Sequence, residues 1–499
     1  MIMQGRAYRK LYILQFLLWI LSVFYDPCNA QDSVSGKIQI NYSNLIDTLK
    51  AIHGLDFAYD ALAINADSMI MADPADFSDK GRIVSFFEND TVEVNIIGSQ
   101  VIIGRKSQND PLPGIITLSG TVVDAASLQG LPGVNIFIEG LALGTSTNLD
   151  GQFIFKIPDA LSGQKLLFSA LGYQGTGISI PEHDATLEIG MKSLSIWLPE
   201  VRIISVDPFR VVREVERRSK ENYSSDHMIL TGFFRETIKQ NGRYVDVSEA
   251  VIEIVKPPYN RLAELERVRF VKGRKGSETS AMDLVRFKLV GGPYYFSQLD
   301  AARNGDFLPK AEDIQEYKYL YKGIDEEFGK PVYRIGFKPE NDKDGIYYEG
   351  EMRIDTTSLG MVSIDFKMTQ PSLKRSRSML IKRDAKRFNT KPYYARYLVQ
   401  YRPWKGIWVL SKVKGEMSVR IYDRSEKEKS VFETVSELLI TDFEPTSGRV
   451  RFPASEYFRP AYSLSDQIGE FDPDFWKFFN VISPDEALES VLKQRNPAE

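Results

Sequence analysis

Three histidines, His53, His183 and His227, are the whole imidazole inventory of the 499-residue chain. None is paired at the helical spacing that lets two rings reach one zinc ion. His53 closes an expected helix just before Gly54, and His183 sits between Pro181 and Asp184 as a loop residue. His227, in "SSDHM", neighbours Asp226 and serines, but a catalytic triad needs three converging groups and a strained nucleophile turn, which the sequence does not offer. Glu349, Glu351 and Asp355 lie close together. Paired acids hydrolyse glycosides only at a set separation across a cleft, so these read as solvated strand faces. "GRKGSETS" at 273–280 lacks the strand-then-helix setting of a phosphate loop and reads as a turn. The lone cysteine, Cys28, supports no disulfide or thiolate site. These residues predict a protein that is not an enzyme and carries no metal or cofactor.

Two features favour binding instead. Residues 373–391 hold eight Lys or Arg against one acid. Lys374, Arg375, Arg377, Lys382, Arg383, Lys386 and Arg387 would suit anionic head groups or an acidic partner, or else form a solvated hairpin tip or lysine-guarded edge strand. The aromatics Tyr294, Tyr295, Tyr393, Tyr394, Trp404 and Trp408 would either line a groove for glycan or acyl chains or fill a sheet core and its cross-strand pairs.

The elements that must position these residues are mostly strands. The composition, 43% hydrophobic over 499 residues, allows about three domains. Residues 1–30 read as a cleaved secretory signal: Arg6, Arg9 and Lys10, an apolar stretch from Leu11 to Tyr25, then Cys28-Asn29-Ala30. Residues 31–499 carry 60 Lys and Arg against 66 Asp and Glu, a balance that gives no basic field for nucleic acid. No later stretch has the apolar length of a transmembrane helix.

In residues 37–106, Leu45, Leu49 and Ile52 fall at helical spacing before Gly54, and Phe57 and Tyr59 alternate as a strand. Ile83, Phe86 and Phe87 suggest a short helix. Val92, Val94, Ile96 and Val101 to Ile103 bracket Gly98-Ser99 as a hairpin. This order, with "NLIDTLKAIHGLDFAYD" and "VEVNIIGSQVIIGRK", resembles the short N-terminal domain of secretins and TonB-dependent transducers, which implies a small α/β module docking an envelope protein partner. After a polar linker at 107–113, the segment "ITLSGTVVDAASLQGLPGVNIFIEGLALGTSTNLDGQFIFKIP" resembles the carboxypeptidase-like regulatory domain, implying a transthyretin-like β-sandwich over 114–204. Val122, Val134, Ile136, Phe153, Phe155, Leu167 and Phe168 supply inward positions, Gly120, Gly133, Gly144, Gly151 and Gly172 mark turns, and Asp150-Gly151 is a tight hairpin signal.

From 205 to 499 a charged helix around Phe209, Val212 and Val215 leads into long strands: Met228–Lys239, Tyr244–Lys256, Tyr317–Lys338, Tyr347–Met368, Arg396–Tyr422 and Val431–Phe443. "GFFRETIKQNGRYVDVSEAVIEIVKPPY" and "FDPDFWKFFNVISPDEALESVL" resemble an envelope family of Bacteroidetes. The hairpins of "PVYRIGFKPENDKDGIYYEGEMRIDTTSLGMVSIDFKM" resemble the half-barrel of lipoprotein carriers. A transmembrane barrel is disfavoured, because Lys412, Lys414, Glu416 and Arg420 share one strand face. The fold class is therefore mainly β with α+β parts: a small α/β domain, a sandwich and a large antiparallel sheet closed by a C-terminal helix. The expected role is docking to a partner at the periplasmic side of the outer membrane through 37–106, with carriage of a lipid, lipoprotein or other apolar ligand as the alternative.

Overall fold

The computed structural model describes residues 37–59, 63–89, 91–97, 100–105, 114–194, 206–277, 292–304, 316–380 and 388–446, with shorter pieces between 450 and 488. The expected signal lies outside the described residues.

The first module contains β1 (Ile38–Asn41), α1 (Tyr42–His53), β2 (Asp56–Tyr59), β3 (Met69–Ala72), α2 (Ile83–Phe87), β4 (Val92–Ile97) and β5 (Gln100–Arg105). The Asn41 side chain accepts from the Asn44 amide and starts α1; Gly54, at φ 64°, ends it in the left-handed region that a side chain resists. Leu45, Ile46 and Leu49 are buried against Phe57, Tyr59, Val101 and Ile103. Ile52, expected on that face, is 48% exposed because the last turn of α1 runs past this small core. Strands order as β2-β5-β4, with β1 and β3 forming a separate pair.

The sandwich contains β6 (Ile115–Asp124), β7 (Asn135–Ile138), β8 (Gly144–Ser146), β9 (Gln152–Pro158), β10 (Lys165–Ser169), β11 (Thr176–Ser179) and β12 (Ala185–Met191). Its sheets, β11-β10-β7-β8 and β12-β6-β9, enclose one apolar core. Leu166 rather than Leu167 points inward, so the expected register of β10 is off by one residue. Gly120 and Gly144 do not mark turns. They lie in β6 and β8, where a Cβ would fall 2.0 Å from the Leu187 carbonyl oxygen and 2.7 Å from Arg402 Nη1, respectively.

The rest builds one ten-stranded antiparallel sheet. After α3 (Pro208–Arg217) and α4 (Ser219–Asn222) come β13 (His227–Gln240), β14 (Arg243–Lys256), β15 (Arg267–Ser277) and α5 (Gly292–Gln298). Then follow β16 (Tyr317–Glu327), β17 (Lys330–Pro339), β18 (Tyr348–Asp355), β19 (Met361–Met368), α6 (Gln370–Arg375), α7 (Arg377–Leu380), β20 (Phe388–Trp404), β21 (Ile407–Asp423), β22 (Lys429–Thr446) and α8 (Leu464–Gln467). The order β15-β14-β13-β22-β21-β20-β19-β18-β17-β16 leaves two edges, so the sheet does not close into a barrel. Residues 273–277, expected as a turn, continue β15. The described parts of the basic run, 373–380 and 388–391, lie in α6, α7 and the start of β20, a central strand; 381–387 lies outside the described residues. The expected C-terminal helix falls mostly outside the described residues, and 479–485 has no helical structure.

One face of this sheet carries the main core. Phe296, Leu299, Leu373, Phe458, Leu464 and Ile468, from segments outside the sheet, fill it. A buried polar knot fixes part of that filling. Lys256 Nζ lies 3.0 Å from Glu266 and 2.6 Å from Asp300, Arg303 pairs with Glu266 at 3.0 Å, and the Tyr259 and Tyr401 hydroxyls both donate to Asp300. Every carboxylate in the knot has a partner, as burial of charge demands.

Candidate functional site

The opposite face of the large sheet carries the other feature suited to recognition. Strand pairing dictates its pattern, because side chains two apart on a strand share a face and partners across strands stand side by side. One rung runs Leu398, Lys414, Glu437, Arg235 across β20, β21, β22 and β13. Two residues on, the next rung is Arg396, Glu416, Val435, Thr237, and the third is Tyr394, Ser418, Glu433, Lys239. Gln400 and Lys412 pair on the far side of the first.

The sandwich roofs this ladder with Leu131-Pro132-Gly133, Thr147-Asn148-Leu149 and Tyr173, leaving a crevice of about 690 Å³. Several contacts hold the roof in place. Lys412 Nζ lies 3.3 Å from Ser146 Oγ, the Arg402 guanidinium donates to the Ala142 carbonyl, and Phe137 meets Phe328 edge-on at 5.6 Å. A C-terminal strap, residues 479–485, makes the end wall. Arg235 donates to the Ile482 and Ser483 carbonyls, Tyr244 to Asp485, and the Asn480 side chain pairs with both the amide and the carbonyl of Lys156 on β9.

Most of the charges on the floor are matched internally. Lys412 stands 3.7 Å from Glu437 and Lys414 2.8 Å from Glu416, while Arg235 and Arg274 both bind the fully buried Glu249 at 2.6 Å. Burial pushes the Glu437 carboxyl up, but Lys412, Lys414 and Arg235 outweigh it and hold it below the usual carboxylate range. Burial lowers the Lys412 ammonium, partly opposed by Glu437. Gln400 differs from these groups. It is 4% exposed, lines the crevice, and its side-chain amide has no hydrogen-bond partner among the described residues.

The sequence candidates scatter. Tyr394 reaches the crevice, and Tyr294 borders a second depression near Tyr457 and Phe458. Tyr295 packs edge-on against Tyr294 and is exposed. Tyr393 lies under Arg420, Trp404 packs on Phe443, and Trp408 is buried against Phe328 while donating to Ser358. The six aromatics therefore do not share one groove. Of the basic run, Arg375 binds Asp342 and the Gly345 carbonyl, Arg377 binds Thr390, and Lys374 is exposed. Lys382, Arg383, Lys386 and Arg387 lie outside the described residues.

The groups read first for chemistry are structural. His53 contacts the Phe77 carbonyl at 2.8 Å, His227 meets Glu264 rather than Asp226, and His183 is an exposed loop residue. Glu349 pairs with Lys367, and Glu351 with Lys322 and Arg334. Asp355 is not solvated: it is buried and accepts from the Thr357 and Ser358 amides to cap the turn into β19. Among the described residues no cluster of three or more His, Cys, Asp or Glu could hold a metal, and no helix is long and apolar enough to cross a membrane.

Residues 118–203 match the CarboxypepD_reg-like domain. That match covers the sandwich and leaves both flanking regions unassigned. No curated protein matches the chain. Among solved structures, the chain is similar to a DUF1329 family protein from Desulfovibrio piger, at 14% identity over 49% of this chain and 95% of that one, with a TM-score of 0.23. It is also similar to an outer membrane lipoprotein-sorting protein domain from Vibrio parahaemolyticus (11% identity, 48% and 93% coverage, TM-score 0.22) and a LolA superfamily protein from Nitrosomonas europaea (10%, 48% and 94%, 0.20). Superpositions this loose carry no argument about function.

Proposed function

We propose that this chain is a non-enzymatic binding protein of the bacterial cell envelope, acting at the periplasmic side of the outer membrane and docking a protein partner through residues 37–106. The observation that carries the reading is an apolar surface on that module. Met69 and Met71, two apart on β3 and so on one face, are 52% and 61% exposed; Ile38, on the other face of the β1–β3 pair, and Ile52, on α1, are uncovered elsewhere on the module. Flexible thioether side chains turned to solvent suit an adaptable contact. The module is also fastened to the large sheet. Lys50 pairs with Glu456 at 2.9 Å, Arg105 with Glu444 at 3.0 Å, and Arg269 donates to the Tyr59 carbonyl at 2.7 Å. A partner held there would be positioned relative to the whole protein.

A carrier of lipid or lipoprotein would need the inner face of the large sheet opened, which requires Phe296, Leu299 and their neighbours to withdraw. The docking reading requires no such rearrangement. It is tested by purifying the full chain from its own membranes as wild type and as the Met69→Glu/Met71→Glu variant. Both positions are exposed, so the fold should survive. A stoichiometric protein that copurifies with wild type and is lost from the variant is the expected result. Equal recovery from both, or recovery of bare protein, would overturn docking through this surface.

A further inference from the structure

We propose that the crevice between the sandwich and the large sheet binds a neutral, hydroxyl-rich ligand, a glycan chain. This goes beyond the docking reading and concerns a different surface. The crevice, about 690 Å³, falls within the range of ligand pockets and is built rather than accidental: three separate parts of the chain supply floor, roof and end wall. Gln400 points to a ligand. Its side chain opens on the crevice without a partner among the described residues, and a group with both a carbonyl acceptor and an NH₂ donor is satisfied best by a ligand that also does both. Hydroxyls do both. Ser418, half-buried, and Glu433, exposed, stand side by side on the floor with their side chains open to a ligand.

The lining excludes other classes. It presents four cationic side chains (Arg235, Lys239, Lys412, Lys414) and four anionic ones (Glu416, Glu433, Glu437, Asp485), a balance that gives no attraction for a phosphate or another net charge. An acyl chain would have to cover the Lys412–Glu437 and Lys414–Glu416 pairs without replacing their water. A peptide gains most by extending a sheet edge, whereas here the backbone groups of β20, β21 and β22 are already used in their ladders. The roof is apolar where Pro132 and the 57% exposed Leu149 face the polar floor. A pyranose has the same division, with C–H groups on a ring face and hydroxyls around its rim.

The test is to screen the full chain on a printed array of neutral and anionic oligosaccharides, then titrate it calorimetrically with the best-retained neutral one. Gln400→Leu, which keeps the volume but removes both hydrogen-bonding groups, is expected to weaken binding roughly tenfold. Ser418→Trp, which fills the floor from a partly exposed position, is expected to abolish it. The Met69→Glu/Met71→Glu variant should bind the sugar as wild type does, which separates failure of this proposal from failure of the docking reading. Retention of no neutral oligosaccharide, retention of anionic sugars alone, or unchanged affinity in both crevice variants would overturn the proposal.

Discussion

Glu327 shows how burial, at the scale of one residue, sets a pH response. It ends β16 beside Phe328 and Gly329, both at positive φ, a tight turn that drives its side chain inward until the residue is only 4% exposed. Its Oε2 atom finds no hydrogen-bond partner among the described residues. Burial pushes the carboxyl up to about 7; Arg353 pulls it down only in part, and Asp325 adds to the rise. The folded protein therefore holds a proton that the unfolded chain releases near pH 4.5. Stability from this group is fully present below that pH and is lost as pH rises to about 7 and just beyond. Glu327→Gln removes the ionisable group while keeping the shape. Thermal unfolding should show the variant more stable than wild type at pH 8, by no more than about 3 kcal/mol, with the gap closing by pH 4. An equal difference at both pH values would mean the carboxyl is ionised in the fold.

At the scale of elements, the strap at 479–485 replaces a missing strand neighbour. β9 is the outer strand of its sheet, and the Asn480 side chain accepts from the Lys156 amide at 2.8 Å and donates to its carbonyl at 3.1 Å. Asn480→Ala should cost about 1–2 kcal/mol and speed hydrogen exchange at the Lys156 amide, measured by NMR or mass spectrometry. Unchanged exchange would show that the strap does not protect that edge. Nothing in a single asparagine announces this role, and the same limit explains which elements the sequence revealed. Helix α1 was legible because Gly54 and the Leu45/Leu49 spacing are local signals. The sandwich was legible from alternating apolar residues. Strand β15 was not, because its buried residues include Arg269 and Arg274, which look like surface side chains until Glu253 and Glu249 meet them from β14. The crevice was half legible. Lys412, Lys414 and Glu416 were seen to share a face, but Gln400 acquires meaning only once the sandwich roofs it, and no local pattern encodes that packing.

At the scale of the whole molecule, the question is whether the modules move as one. Exposed pairs such as Arg105–Glu444, each half uncovered, contribute little to holding them together. Arg269 is different. It is 4% exposed, binds Glu253 at 2.6 Å, Glu456 at 3.4 Å and the Tyr59 carbonyl, and its guanidinium lies 4.4 Å from the Tyr59 ring and 4.7 Å from that of Phe452. A single side chain thus joins β15, the first module and the segment around 452–456. Replacing it by methionine keeps much of the volume but takes the buried guanidinium away from Glu253, Glu456 and the Tyr59 carbonyl, with Lys50 still beside Glu456, a loss of at most about 3–5 kcal/mol. Because that loss falls at the joint rather than within either core, it should uncouple the modules instead of unfolding them together. Calorimetry of Arg269→Met is expected to resolve a separate early transition. Hydrogen exchange in α1 should rise while that in β20 and β21 stays as in wild type. If the variant instead melts in one transition with exchange raised evenly across both regions, the first module is not a unit that Arg269 fastens, and a partner docked on Met69 and Met71 would be sensed through the sheet as a whole.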